Sequence, residues 1–204
     1  SDAADLYTPI STKFTYDGGA PSQSDYFSIG GDSNYTLYSD HLESSAGGSI
    51  YLPNVEHLRL TGGVSANTFD IQSWAGDVTL DGLGGSDYYL INILLAPNVT
   101  IADSGSGVDD ADRLVVLMSI GNDVITPGST QISLGGSLIN YSGIEVLRLS
   151  GNSGNDTFNI NNINASTVEL DGNEGSDVYN INVSASTAHI YVSDSGVTGS
   201  DTLN

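Results

Sequence analysis

In the C-terminal part of the chain, LSGNSGNDTF (from Leu149), LDGNEGSDVY (from Leu170) and VSDSGVTGSDTL (from Val192) begin 21 and then 22 residues apart. Each unit is an alternating apolar strand, a glycine-rich turn that closes on aspartate, and a second alternating strand such as TFNIN or VYNIN. A unit of this length cannot bury its own apolar face, so successive units must stack, and a period in the low twenties with short strands specifies a solenoid. The expectation is an all-β, right-handed parallel β-helix or β-solenoid with about 21 residues per turn. Its strands should lie roughly 4.8 Å apart, with right-handed parallel crossovers. No stretch sustains the i, i+3, i+4, i+7 apolar pattern of a helix.

A longer repeat contains the shorter one. VEHLRLTGGVSANTFDI (Val55 to Ile71) matches IEVLRLSGNSGNDTFNI (Ile144 to Ile160) at an offset of 89, and VTLDGLGGSDYYLIN (Val78 to Asn92) matches VELDGNEGSDVYNIN (Val168 to Asn182) at 90. ADSG (Ala102 to Gly105) then matches SDSG (Ser193 to Gly196) at 91. The chain reads as one continuous, internally duplicated domain, with an irregular lead-in or cap over 1–24, a first half over 25–122 and a second over 123–204. Its 204 residues suit one sizeable core. Because DTLN leaves the last turn without a returning strand, the expectation is a piece of a longer chain with adjoining repeats.

Alternation assigns the faces. Leu147 and Leu149, Phe158 and Ile160, and Tyr179 and Ile181 should face inward. Asn159 and Asn161 precede Asn180 and Asn182 by 21 residues, the spacing for stacked amide ladders. Around Tyr89, Ile91 and Ile93 the opposite face carries Tyr88, Leu90, Asn92 and Leu94, which suggests a cover supplied by the N-terminal segment.

Twenty-five acids face only Lys13, Arg59, Arg113 and Arg148, for a formal net charge of −21. Nucleic acid and anionic membrane are poor partners for such a surface. There is no cysteine, hence neither a disulfide framework nor a thiolate metal site. No apolar run approaches the roughly 18 residues of a membrane span, and SDAADLYTPI lacks the basic start and apolar stretch of a signal peptide.

Stacked units bring Asp156, Asp177 and Asp201 to equivalent corners. Two carboxylates about 4.8 Å apart repel by about 3 to 4 kcal/mol at an effective dielectric near 20, less with salt. A cation between turns removes that cost. Calcium suits the corner because it accepts six to eight oxygens in flexible geometry, and glycine turns at positive φ bring backbone carbonyls close. The plainer alternative is that glycine and aspartate only shape the turns.

The stretches Gly151 to Asp156 and Gly172 to Asp177, and less closely Gly82 to Asp87 and Gly196 to Asp201, resemble the GGxGxDxUx calcium repeats of the repeats-in-toxin family. They are also similar to the GNDTF-type repeats of very large bacterial surface proteins. The resemblance implies calcium as cofactor, bound by Asp156 and Asp177 first, then Asp87 and Asp201, with the turn glycines Gly151, Gly154, Gly172 and Gly175 supplying carbonyls. Asn152 and Asn173 replace the second glycine, and the motif recurs once per 21 residues instead of in a tandem of nines, which supports a one-sided column of ions. Asn67 offers no carboxylate where Asp156 stands in the second half. Asp177 ranks above Asp112, which follows the longer GSGVDDAD insertion.

The function implied is a non-enzymatic, calcium-stabilised module outside the bacterial cell or on its surface, a rigid spacer or adhesive segment of a larger protein. The rival is a polysaccharide-binding or polysaccharide-degrading β-helix, for which Trp74, Tyr51, Tyr88 and Tyr89 are the sugar-stacking candidates. His41, His57 and His189 lack ligand spacing for zinc, and no GxSxG elbow marks a hydrolase. Arg59 and Arg148 should point outward and are too far apart for a lyase site. The outward ranks are Asn, not the long Thr ranks of an ice-binding face.

Overall fold

In a computed structural model that describes residues 3–6, 11–20, 24–96, 98–105, 107, 110–182 and 187–204, the chain is all-β, with no helix among the described residues. Of the lead-in assigned to 1–24, residues 1–2, 7–10 and 21–23 lie outside the description, as do three residues of the GSGVDDAD insertion. The strands in chain order are β1 (Ala3–Leu6), β2 (Lys13–Thr15), β3 (Tyr26–Gly30), β4 (Tyr35–Leu37), β5 (His41–Ser44), β6 (Ser49–Tyr51), β7 (His57–Gly63), β8 (Thr68–Ile71), β9 (Asp77–Leu83) and β10 (Tyr88–Asn92). They continue as β11 (Asn98–Ala102), β12 (Arg113–Leu117), β13 (Val124–Ile125), β14 (Gln131–Leu134), β15 (Ser137–Ser142), β16 (Val146–Ser150), β17 (Thr157–Ile160), β18 (Thr167–Asp171), β19 (Val178–Ile181), β20 (His189–Ser193) and β21 (Thr202–Leu203).

Three sheets result, in the orders β1-β3-β7-β9-β11-β15-β14, β2-β6-β5-β4-β8-β10-β12-β16-β18-β20 and β13-β17-β19-β21. Pairing is parallel except at the hairpin contacts β4–β5, β5–β6 and β14–β15. Stacked parallel sheets of short strands fit the β-helix or β-solenoid class. The register follows the repeat: Phe158 lies opposite Tyr179 and Ile160 opposite Ile181, 21 residues on in each case.

The period-two alternation puts its apolar set inside. Leu147, Leu149, Phe158, Ile160 and Tyr179 are buried as expected, and Ile181 is half-buried. Phe69 stacks on Tyr89 with ring centroids 5.2 Å apart and Phe158 on Tyr179 at 5.1 Å, each pair 8° from coplanar. On the outer face, Asn180 donates to Asn159 Oδ1 at 2.8 Å, one of the two amide ladders anticipated, and Asn204 extends it by donating to Asn180 Oδ1 at 2.8 Å.

Two features differ from the sequence reading. The described N-terminal strands do not cover β10. β1 pairs with β3 and β2 with β6, each at a sheet end, while Tyr88 and Leu90 are half-buried and Leu94 is exposed. Segments that match in sequence also occupy different sheets. β7 and β16 carry the same LRL yet belong to the seven-stranded and ten-stranded sheets, and β10 and β19 are likewise separated. The exchange happens at β12, which lies between β10 and β16. β12 is paired 25 residues after β10 (Tyr88 with Arg113) and 33 before β16 (Arg113 with Val146), because the GSGVDDAD insertion and the β14–β15 hairpin lengthen those passages.

Phe158→Ala should lower unfolding stability by about 3–5 kcal/mol, since it empties a fully buried stacked position. Asn159→Ala on the same strand should cost only about 1 kcal/mol. Denaturant titration of both variants measures the difference, and equal losses would contradict the assigned faces.

Candidate metal centre

The corners are joined turn to turn by the residue pairs that close each glycine loop. The backbone N–H of Asp123 donates to Asp156 Oδ1 (2.8 Å), that of Asp156 to Asp177 Oδ1 (2.7 Å) and that of Asp177 to Asp201 Oδ1 (3.0 Å). The preceding residue bonds the opposite way, Asn155 N–H to Asn122 Oδ1 and Ser176 N–H to Asn155 Oδ1, both at 2.8 Å. This is why an acceptor side chain, Asn or Ser, stands before each of these aspartates. The expected column of Asp156, Asp177 and Asp201 therefore exists and begins one unit earlier, at Asp123.

Asp87 belongs to a separate column. Asn67 N–H donates to Asp87 Oδ1 (2.6 Å), Asp87 N–H to Asp112 Oδ1 (2.7 Å) and Asp112 N–H to Glu145 Oε2 (2.9 Å). Asn67 keeps the turn without a carboxylate, its Oδ1 accepting from Gly63 N–H at 2.7 Å.

In both ladders the aspartates accept through Oδ1. The Oδ2 atoms of Asp87, Asp156 and Asp177 are buried without a hydrogen-bond partner, in side chains at most 1% exposed. Each lies against a glycine: a Cβ added to Gly82, Gly151 or Gly172 would stand 2.0, 2.3 or 2.1 Å from it. The glycines thus serve two needs. Gly154 and Gly175 adopt positive φ (114° and 138°), as expected, whereas Gly151 and Gly172 do not. Those two are required for space beside the carboxylate, and the left-handed residues are the asparagines that follow, Asn152 (77°) and Asn173 (65°). Asparagine tolerates that conformation better than most side chains, so the loop keeps its shape without the second glycine.

Two groups of three acidic side chains have ligand oxygens within 4.8 Å of one another: Asp87 with Asp103 and Asp112, and Asp177 with Asp194 and Asp201. In the first group Tyr89 Oη donates to Asp103 Oδ2 (2.5 Å). In the second, Tyr179 Oη accepts from Gly172 N–H (2.8 Å). Asp201 is exposed and Asp156 fully buried. Sequence reasoning missed Asp103 and Asp194 as candidate ligands, and the structure places Asp112 in a group of three acids with Asp87 and Asp103. The signal for both is the match of ADSG with SDSG, which puts Asp103 and Asp194 at the same place in each half.

Burial raises these carboxyls, and their neighbours add to it. Asp87 is pushed up to about 7, first by desolvation and then by the charges of Asp103, Asp112 and Asp110. Desolvation first, with nearby acids second, likewise carries Asp112 and Asp156 to about 6. Asp103, Asp177 and Asp194 shift upward for the same leading reason. Oxygen-only, hard and anionic, the donor set fits a calcium-like cation and offers nothing to a soft metal.

The other candidates fall elsewhere. Trp74 is 3% exposed and Tyr89 is fully buried, so neither presents a sugar-stacking face. Tyr51 is exposed but stacks on His41 at 5.5 Å. His41 lies 2.6 Å from Asp40 and 3.7 Å from Glu43, and His57 3.1 Å from Asp77; among the described residues neither belongs to a group of three at ligand separation. Arg59 and Arg148 do face outward, and they are paired, with Asp81 (3.8 Å) and Asp171 (2.9 Å) respectively. No protein-family model matches the chain, and no curated protein or solved structure is significantly similar to it.

The raised carboxyls set the direction of a pH effect. Between the ordinary aspartate value of 3.8 and about 7, the folded chain retains protons on Asp87 that the unfolded chain has lost. The stability these groups contribute is full below that window and declines as pH rises through it. In chelator, the melting temperature should fall from about pH 4 to about pH 8, with a smaller fall in Asp87→Asn. Melting curves across that range check this, and an identical slope in the variant would assign the fall to general charge repulsion.

Proposed function

We propose that the chain is a non-enzymatic, calcium-stabilised extracellular module. On this reading it is a right-handed β-solenoid of about 21 residues per turn in two similar halves, serving as a rigid spacer or adhesive segment of a large secreted or surface protein. The observation that carries the reading is the buried, unpartnered Oδ2 of Asp87 and of Asp177, each within a group of three acids at ligand separation. Leaving an acceptor unmet in the interior costs about 1–3 kcal/mol, more if it is charged. A chain that repeats this arrangement in both halves gains from something that offsets that cost. A divalent cation does so, and calcium tolerates the irregular oxygen geometry that magnesium rejects. The parallel ladders and the wall of stacked rings support the spacer role, because each turn is bonded to the next along the long axis.

A second reading, a polysaccharide-binding module, draws support from the open groove lined by Thr126, Asn159, Asn161, Asn180, Asn182 and Asn204. Its amides offer both donors and acceptors to sugar hydroxyls. A binding screen against acidic and neutral polysaccharides separates the two, since a spacer binds none.

Calcium at about 100 times its dissociation constant should stabilise the fold by about 2.7 kcal/mol per site, raising the melting temperature by several degrees over the chelated protein. Calorimetry in chelator and in millimolar calcium reads this directly. Superimposable melting curves would sink the calcium reading.

A further inference from the structure

We propose that cations bind at two places, one in each half: among Asp87, Asp103 and Asp112 in the first, and among Asp177, Asp194 and Asp201 in the second. The corner at Asp156 holds none. This rests on the calcium reading above and places one ion in each half instead of one at every stacked aspartate.

The argument starts from one rank of residues that runs from turn to turn. Thr61 lies opposite Asp81 and Gly63 opposite Leu83, which sets Gly62 against Gly82. Leu80 lies opposite Ile101, so the same register carries Gly82 on to Asp103. In the second half Ser150 pairs with Asp171 and Asp171 with Ser193, and the next rank is Gly151, Gly172 and Asp194. Twice, then, a rank of two glycines is closed by an aspartate on the third turn.

A Cβ at Gly82 would meet Asp87 Oδ2 at 2.0 Å and Tyr89 Oη at 2.6 Å, and one at Gly172 would meet Asp177 Oδ2 at 2.1 Å and Tyr179 Oη at 2.5 Å. The glycine rank therefore borders the pocket of the unpartnered oxygen, and the aspartate that ends the rank adds a carboxylate to it. Tyr89 Oη, bonded to Asp103 Oδ2, ties the two together.

The ring rank changes in step. Two residues after the corner stand Phe69 and then Tyr89 in the first half, and Phe158 and then Tyr179 in the second. A phenol thus accompanies each three-carboxylate corner, while Asn67 and Asp156 are accompanied by phenylalanine. Asp156 is as buried as Asp177 and also has a free Oδ2. Among the described residues, however, it is not part of a group of three acids at ligand separation. With three carboxylates and no Lys or Arg ion pair reaching them among the described residues, each cluster lacks a counter-charge that a calcium-class divalent cation supplies.

The test is calcium titration by calorimetry of the full chain, first stripped with chelator, alongside terbium luminescence excited through tyrosine. Terbium takes the same oxygen ligands and is sensitised by a phenol close by. The expected stoichiometry is two, one for each cluster. Asp103→Asn and Asp194→Asn should each remove one ion, the double variant both, and Asp156→Asn neither. Tyr89→Phe and Tyr179→Phe should each remove part of the terbium signal. Where Asp103→Asn or Asp194→Asn fails to fold, by circular dichroism, Asp112→Asn or Asp201→Asn reads the same cluster. Calcium binding that survives the double variant, or is lost in Asp156→Asn, overturns the two-site assignment and leaves the calcium reading standing. Absence of any binding overturns both.

Discussion

The structure depends on a short hydrogen bond between a backbone N–H at one corner and the aspartate carboxylate of the following turn. Within each column it occurs between neighbouring turns, from Asp123 to Asp201 and from Asn67 to Asp112. A corner is where strand pairing stops and a backbone donor would otherwise be left unmet in the interior. An ionised acceptor makes the stronger bond there. Because the second oxygen of the same carboxylate must go somewhere, the bond also dictates a glycine beside it and a buried negative charge behind it.

Opposing demands follow from that choice. The ladder favours the ionised form, while burial and neighbouring acids favour the neutral one, and burial wins at Asp87, Asp112 and Asp156. The molecule has too few cations of its own to settle the matter. Its arginines are engaged on the outer faces of the sheets, Arg59 with Asp81, Arg113 with Glu169 and Arg148 with Asp171. Charge balance at the corners is thereby handed to protons or to ions from solution.

Much of this was legible in the sequence because strand alternation and a 21-residue period act locally. Phe158, Tyr179, Leu147 and the Asn159–Asn180 ladder fell where the pattern put them. The exchange of sheets at β12 was not legible, since matching segments such as the LRL of β7 and β16 carry no mark of which sheet receives them. That is decided by the lengths of the connections. Gly151 and Gly172 were read through backbone conformation, whereas the need they meet is steric and arises only when Asp156 and Asp177 fold back against them. Asp103 and Asp194 were visible as repeat matches, but a substitution of aspartate for glycine in a rank has meaning only when the ranks are aligned in space.

From Asp123 to Asp201 the bonding at each corner runs both ways, aspartate accepting from the unit before and asparagine or serine from the unit after, so these junctions are chemically alike. A recombination event that removes or copies one whole unit at the DNA level therefore rejoins a donor to an acceptor of the same kind, and no corner is left unmet.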